Sequence, residues 1–289
     1  MPSCWSKRYE STELLEKYFK LAEDTTKEVR NSTEHELNIS YGSSERTKYD
    51  IYGTNLPKNA PIFLFIHGGY WKEFSKDLSG LVVPNLIAHG IKVVVGGYDL
   101  CPNVRLTEII NQIKLLTEKI LTMARLSGSQ CVWIGGHSAG AHLAAALIHD
   151  QNWLDLIASH GLLTLLKGLV LIGGIYAIEP LLGTSLKDCL NLSPDEIKSY
   201  TFAPFNESDV TEDNFIALRD LKVIVTVGEC DSPIFIEESR RYSRRLIKLV
   251  DNVEFLFLRG IDHFDIIENL TNKEYHLSKV LIKNLTTRN

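Results

Sequence analysis

The stretch Cys131-Val-Trp-Ile-Gly-Gly-His-Ser138-Ala-Gly-Ala-His142 decides the fold of this 289-residue chain. It joins a short apolar run to an alanine-rich segment, which predicts a buried strand followed directly by a helix. Between them, residues 136–140 read G-x-S-x-G, and small residues beside a serine permit the tight turn of a nucleophile elbow. The pattern predicts that Ser138 is a nucleophile and that the backbone N–H of Ala139 faces a developing oxyanion.

Similar short apolar runs recur on both sides of this stretch, and segments with helical periodicity separate them. Such runs are typical of parallel strands that are buried on both faces, and their alternation with helices predicts a doubly wound α/β fold. Residues 35–53 alternate instead, which predicts antiparallel edge strands. The runs that predict buried strands are 61–66, 92–95, 131–134, 169–172, 223–227 and 253–258, and the predicted helices are 78–89, 107–126, 139–149, 234–249 and 275–285.

The chain is predicted to form a single doubly wound α/β domain over residues 1–289, because no Gly-, Ser- or Pro-rich linker divides it. An amphipathic helix is expected at about residues 7–30. The stretch at about 180–220 does not follow the strand–helix rhythm. We therefore expect it to be a small insertion over the carboxyl edge of the mostly parallel sheet, where such folds bind ligands.

Composition excludes several classes of function. The net charge of −5 gives no support for a nucleic-acid partner. Five scattered cysteines form no metal-binding or disulfide pattern, so no metal and no cofactor is predicted. The N-terminus lacks an apolar signal core and no apolar run is long enough to span a bilayer, which predicts a soluble, cytoplasmic protein without membrane contact. The sequence does not distinguish a monomer from a homodimer.

Two further motifs complete a hydrolase site. His67-Gly-Gly-Tyr-Trp71 directly follows a predicted strand, and its consecutive glycines can aim backbone N–H groups at one point. With Ala139, the N–H groups of Gly68 and Gly69 are predicted to form an oxyanion hole.

An acid and a base are expected after later strands. The chain order Ser138, Asp231, His263 is that of an α/β-hydrolase triad, in which the carboxylate orients the imidazole. Glu229 and Asp262 are the alternatives for the acid. Asp231 is preferred over Glu229. Asp262 is disfavoured because it adjoins the histidine in sequence, where helix or strand geometry makes a side-on hydrogen bond awkward.

These motifs together resemble the kynurenine formamidases (arylformamidases) of the hormone-sensitive-lipase-like α/β-hydrolases. The resemblance covers about residues 35–285. It rests on the glycine motif, the elbow and the segments Tyr98-Asp-Leu-Cys-Pro102, Gly174-Ile-Tyr-Ala-Ile-Glu-Pro-Leu181, Gly228-Glu-Cys-Asp231-Ser-Pro and His263-Phe264. It implies a small-molecule substrate, N-formyl-L-kynurenine, which is hydrolysed to L-kynurenine and formate without a cofactor.

The aromatic leaving group of that substrate needs an apolar pocket. Tyr70, Trp71, Phe74 and Tyr176 are the candidates to line it, with core packing as an equal alternative for Trp71. Two rival functions stay open at this stage: a broad carboxylesterase for aryl or short acyl esters, and a non-catalytic binding protein on the hydrolase fold.

Overall fold

The computed structural model describes residues 2–204, 218 and 220–287. Over these residues the central sheet has eight strands in the spatial order β1-β2-β4-β3-β5-β6-β7-β8. The strands are β1 (His35–Ser40), β2 (Lys48–Tyr52), β3 (Ile62–Ile66), β4 (Lys92–Gly96), β5 (Val132–His137), β6 (Leu166–Ile172), β7 (Lys222–Gly228) and β8 (Asn252–Leu258).

Strand direction places the functional loops at one edge of the sheet. β1 and β2 are antiparallel to their neighbours, as the alternating pattern of residues 35–53 predicts, and all pairs from β4 to β8 are parallel. The carboxyl ends of parallel strands meet at the same edge, which is where open α/β sheets bind ligands. The loops after β3, β5, β7 and β8 therefore converge there.

Helices cover both faces of the sheet. One face packs against α3, α4, α5 and α8, and the other against α1, α2, α9 and α10. The helices are α1 (Ser11–Ser32), α2 (Val83–Ala88), α3 (Leu106–Ser127), α4 (Ala139–Ile148), α5 (Gln151–Ser159), α6 (Leu186–Leu190), α7 (Pro194–Ser199), α8 (Pro233–Leu246), α9 (Asp265–Glu268) and α10 (His276–Thr286).

Strand β3 shows why the sheet needs two apolar layers. Its side chains point alternately to opposite faces, so Leu64 joins one core and Phe63 and Phe65 join the other. All five residues of β3 are buried. The continuous apolar run that predicts this strand thus reflects burial on both sides.

Several predicted boundaries differ from the structure. The N-terminal helix begins at Ser11 rather than residue 7, and residues 2–5 form a separate 3-10 turn. The helix predicted at 78–89 is shortened to α2, with Pro84 in its first turn and two 3-10 turns before it. α5 was not predicted.

The burial predicted for the last strand is wrong. Among the seven residues of β8 only Leu258 is buried, because this strand lies at the edge of the sheet and pairs with β7 alone. An apolar run therefore does not show whether a strand lies in the centre or at the edge of the sheet.

The predicted insertion is described only from residue 180 to 204, at 218 and at 220. Its described part contains the short helices α6 and α7, while residues 205–217 and 219 lie outside the described residues. Its action as a cap stays a prediction, as does the single-domain organisation. Within the described part of the chain, no helix is long and apolar enough to cross a membrane.

Candidate active site

Ser138 lies at the turn between β5 and α4 in a conformation that L-residues rarely adopt, with φ of 56° and ψ of −119°. Its backbone N–H donates a hydrogen bond to the carbonyl of Ile172 on the neighbouring strand, at 2.8 Å. This bond ties the strained turn to the sheet, and such strain is typical of functional sites. The predicted elbow is thus present in the structure.

The two glycines of the elbow are required by close packing. A Cβ atom at Gly136 would collide with the carbonyl oxygen of Gly140, one turn further along. A Cβ atom at Gly140 would collide with the carbonyl oxygens of Ile66 and His67 at the end of β3. The G-x-S-x-G pattern therefore lets the elbow lie directly against the strand that leads into the second glycine motif.

His263 and Asp231 form a buried pair beside this turn. The Nδ1 atom of His263 is 2.7 Å from the Oδ2 atom of Asp231, and these side chains are only 4% and 0% exposed. The other oxygen of Asp231 accepts the backbone N–H of Ser232 at 2.6 Å. A carboxylate on Nδ1 leaves Nε2 of the imidazole to act as a base.

The two alternative acids are occupied elsewhere. Glu229 accepts the backbone N–H of Gly260 at 2.8 Å in an exposed turn. Asp262 accepts hydrogen bonds from Ser6, Arg8 and two backbone N–H groups. Burial by itself raises the pKa of Asp262, but these hydrogen bonds outweigh it and lower the pKa. Of the three predicted acids, Asp231 is the one that the structure brings to His263.

The residues predicted as oxyanion donors lie in the loop after β3 and at the start of α4, on either side of Ser138 in the chain. Gly68 lies so close to Ser138 that a Cβ atom on the glycine would be 3.1 Å from the Cβ atom of the serine. Gly69 has a φ of +102°, and a Cβ atom there would collide with the backbone carbonyl of Glu73. Ala139 is the first residue of α4, where backbone N–H groups lack intrahelical partners. The role of the three residues as oxyanion donors stays a prediction.

Tyr98 contacts His67, the first residue of the glycine motif, a role that sequence reasoning did not assign. Its hydroxyl donates a hydrogen bond to the carbonyl of His67 at 2.8 Å, and its ring stacks on the imidazole with the centroids 4.2 Å apart. Burial lowers the pKa of His67 to about 4, so this ring is neutral at pH 7. The resemblance rests in part on residues 98–102 after β4, and this hydrogen bond shows what Tyr98 does there.

A small cavity of about 90 Å³ contains the candidate nucleophile and base. Ser138 and His263 line it together with Gly69 and two of the predicted pocket residues, Tyr70 and Phe74. The remaining wall is mostly apolar: Pro2, Ser3, Leu15, Phe19, Glu73, His137 and Phe264. In its described residues, the 180–220 insertion contributes no side chain to this cavity.

Trp71 and Tyr176 are corrected from pocket residues to core residues. Both side chains are fully buried and do not line the cavity. Trp71 packs its ring edge-on against His142, and Tyr176 stacks on Tyr242 with the ring centroids 4.2 Å apart. Their large apolar rings fill space beneath the loops after β3 and β6, so core packing describes both.

Sequence reasoning also missed His137 and the N-terminal residues of the cavity. The Nε2 atom of His137 is 2.8 Å from the carbonyl oxygen of His263. Two effects, of which burial is the larger and the neighbouring imidazole of His263 the smaller, hold the pKa of His137 well below its usual range. Its place inside the elbow motif was a usable signal. Nothing in the sequence indicates that Pro2 and Ser3 reach the cavity.

Within the described ranges, no group of three or more His, Cys, Asp and Glu side chains is arranged to hold a metal ion. The predicted absence of a cofactor stays a prediction.

Comparison with known proteins agrees with this geometry. A family model described as alpha/beta hydrolase fold matches residues 63–265. The kynurenine formamidase of Salmo salar is 29% identical over 98% of this chain and 92% of its own length. That of Drosophila melanogaster is 30% identical over 84% of this chain and 79% of its own length.

Solved structures show the same fold. The crystal structure of a proposed thioesterase from Silicibacter sp. TM1040 superposes with a TM-score of 0.74 and 26% identity, covering 94% of this chain and 93% of that one. The esterase LipW from Mycobacterium marinum has a TM-score of 0.60 at 18% identity and covers 93% and 85% of the two chains, which shows the fold alone. By its sequence and its fold, this chain belongs to the kynurenine formamidase family of α/β-hydrolases.

Proposed function

We propose that this protein is a serine hydrolase that converts N-formyl-L-kynurenine to L-kynurenine and formate, with Ser138, His263 and Asp231 as its catalytic triad. The observation that carries the proposal is the buried His263–Asp231 pair, 2.7 Å apart, at the cavity that Ser138 lines. Kynurenine formamidases that align with 84–98% of the chain support the choice of substrate.

In the first half of the reaction, the hydroxyl oxygen of Ser138 attacks the formyl carbon while Nε2 of His263 takes the hydroxyl proton. The carbonyl electron pair moves to oxygen, and the N–H groups of Gly68, Gly69 and Ala139 donate to the resulting oxyanion. When the carbonyl re-forms, the C–N bond breaks. His263 then gives its proton to the departing aniline nitrogen, which releases kynurenine.

In the second half, water attacks the formyl ester on Ser138 while His263 accepts a proton from it. Collapse of this second tetrahedral intermediate breaks the ester bond, returns the proton to Ser138 and releases formate. Throughout, Asp231 holds the imidazole through Nδ1 and stabilises its charged form.

The cavity suits the formyl group of the proposed substrate in size and its aromatic ring in chemistry. A formyl group carries no carbon substituent, so a small space beside Ser138 can accommodate it. Tyr70 and Phe74 offer apolar surface to an aromatic leaving group. Glu73 supplies the one carboxylate among the side chains that line the described cavity, and Lys72 pairs with it at 2.5 Å. The α-ammonium group of an amino-acid substrate can compete with Lys72 for this carboxylate.

The test is the absorbance of kynurenine after purified protein is mixed with N-formyl-L-kynurenine. We expect turnover by the wild type, and a loss of several orders of magnitude in kcat for Ser138→Ala, because a triad acts as a unit. A folded Ser138→Ala variant that kept more than about a tenth of the turnover would exclude Ser138 as the nucleophile.

Two further measurements separate the rival functions. A broad carboxylesterase would have a higher kcat/KM for a short aryl ester than for N-formyl-L-kynurenine, since only this ratio measures discrimination. A binding protein without catalysis would not react with a serine-directed fluorophosphonate. The complete set of Ser138, His263 and Asp231 argues against the second rival.

A further inference from the structure

The N-terminal segment, residues 2–8, contacts the turn that carries His263 although more than 250 residues separate them in sequence. Ser6 donates its hydroxyl to Asp262 at 2.6 Å. The guanidinium of Arg8 donates to both oxygens of the same carboxylate, from Nε at 2.8 Å and from Nη2 at 3.1 Å. A two-point contact of this kind fixes orientation as well as distance.

Asp262 precedes His263 and also forms hydrogen bonds with the two residues that follow it. Its Oδ1 atom accepts the N–H groups of Phe264 and Asp265 at 2.8 and 2.9 Å, and its own N–H donates to Asp265 at 2.6 Å. The hydrogen bonds of Asp262 therefore brace the turn on both sides of the histidine. Asp262 is only 1% exposed, so water does not compete for them.

Arg8 is also the cation that faces the acidic groups of this turn. It lies 2.6 Å from Glu268 and 3.6 Å from Asp265, in addition to Asp262. Burial and the neighbouring Asp262 raise the pKa of Asp265 to about 7, which shows how poorly the site accepts a second negative charge. Without Arg8, these three carboxyl groups would lose the one cation that the described residues place within 4 Å of them.

The same segment shapes the substrate cavity. Pro2 and Ser3 line the cavity beside Ser138 and His263, and both are buried. Further along the same segment, Ser6 and Arg8 bind Asp262 through hydrogen bonds. One set of hydrogen bonds thus holds the cavity wall and the histidine turn together.

We propose that Arg8 is a positioning residue of the active site, which acts through Asp262 to fix the turn that carries His263. The proposal rests on the proposed function in one respect, namely that His263 is the base for Ser138. Displacing a catalytic group by about 1 Å can cost on the order of 100-fold in rate. Arg8 therefore has a catalytic consequence although it does not line the cavity.

The test measures two rates for Arg8→Ala: kcat on N-formyl-L-kynurenine, and labelling of Ser138 by a small fluorophosphonate. Labelling depends on activation of the serine by His263 but requires neither the natural substrate nor release of a product. We expect both rates to fall by a similar factor, about 10- to 100-fold. Arg8→Lys should recover only part of the loss, because an ammonium group cannot make the forked contact.

Arg30→Ala is the matched control. The side chain of Arg30 is 28% exposed against 30% for Arg8. It also joins more than one carboxylate, Asp50 and Asp77, and none of these three side chains lines the cavity. A purely structural role for Arg8 predicts that both variants lose thermal stability and keep the labelling rate of the folded protein. We expect Arg30→Ala alone to behave in this way.

Labelling of Arg8→Ala within about twofold of the wild-type rate, or an equal loss in Arg30→Ala, would overturn the proposal. If Arg8→Ala does not fold, Ser6→Ala takes its place, because it removes one hydrogen bond to Asp262. A Ser6→Ala variant that is labelled at the wild-type rate would then contradict the proposal. A wild type that is labelled but does not turn over N-formyl-L-kynurenine overturns the substrate assignment alone. A wild type that is not labelled overturns the serine nucleophile and the role of Arg8 together.

Discussion

Asp231 and Glu229 stand two residues apart in the loop after β7, yet their carboxylates have different environments. Asp231 is buried and contacts the imidazole of His263, whereas Glu229 is exposed and binds the backbone of the next turn. At the scale of single residues, the direction of a side chain therefore decides which carboxylate can serve the base.

This difference predicts the effect of removing each charge. Asp231→Asn should lower kcat by about 10⁴-fold, because an amide cannot stabilise the imidazolium and favours the wrong tautomer. Glu229→Gln should stay within about twofold of the wild type, since an amide oxygen can still accept the N–H of Gly260. Steady-state kinetics on N-formyl-L-kynurenine check both. An active Asp231→Asn beside an inactive Glu229→Gln would reverse the assignment.

At the scale of elements, the site depends on how closely α4 approaches the end of β3. Gly140 in the first turn of α4 lies against the backbone carbonyls of Ile66 and His67, and the glycine motif begins at that point. Ser138 on one element and Gly68 on the other are thereby brought together. The spacing between nucleophile and oxyanion donor is a property of this contact between two elements.

Gly140→Ala tests this contact. The added methyl group meets backbone atoms, which cannot rotate away, so α4 and β3 must separate. We expect a loss of about 1–3 kcal/mol in the free energy of unfolding, as for other overpacked sites, together with at least a tenfold loss of kcat. Gly183→Ala is the control, because a Cβ atom there meets nothing within 4 Å. Denaturant unfolding and kinetics measure the two effects, and a stable, fully active Gly140→Ala would contradict the packing argument.

At the scale of the whole molecule, the buried His67, His137 and His142 and the partly buried His149 make stability depend on pH. Burial lowers the pKa to about 4 for His67 and His142 and to about 3 for His149, and it holds the pKa of His137 well below its usual range. These side chains stay neutral in the folded protein, whereas the unfolded chain binds protons below about pH 6.5. Their stabilising contribution is therefore complete above pH 6.5 and is lost as the pH falls toward 4.

Two carboxyl groups act in the opposite direction. Burial raises the pKa of Glu238 to about 7, and burial with Asp262 nearby does the same for Asp265. These groups hold a proton in the folded state that the unfolded chain releases, so they add stability as the pH falls from 7 to about 4.5. Four histidines outweigh two carboxyl groups, and each contributes up to about 1.4 kcal/mol per pH unit.

We therefore expect the free energy of unfolding to fall by about 2 kcal/mol per unit between pH 6.5 and 5. Denaturant titrations at several pH values measure the slope. Glu238→Gln should make the fall steeper, since it removes an opposing contribution while an amide oxygen can still accept the N–H groups of Tyr176 and Ala177. A free energy that is constant or rises over this interval would show that the histidines do not control acid stability.

The sequence by itself determined the fold class and the strand, turn and helix around Ser138, all of which the structure contains. It also located the glycine motif at residues 67–71, whose role as an oxyanion hole stays a prediction. These features are local: an apolar run of about five residues forms a strand, and adjacent glycines permit a tight turn. It also proposed His263 and preferred Asp231, because loops after parallel strands meet at one edge.

Only the tertiary structure decided which side chains face that edge. It brought Asp231 to His263, turned Asp262 toward Arg8, buried Trp71 and Tyr176 in the core, and brought Pro2 and Ser3 into the cavity. Each outcome depends on contacts between residues far apart in the chain. Local periodicity carries no information about those contacts, because it fixes the face of an element but not what packs against that face.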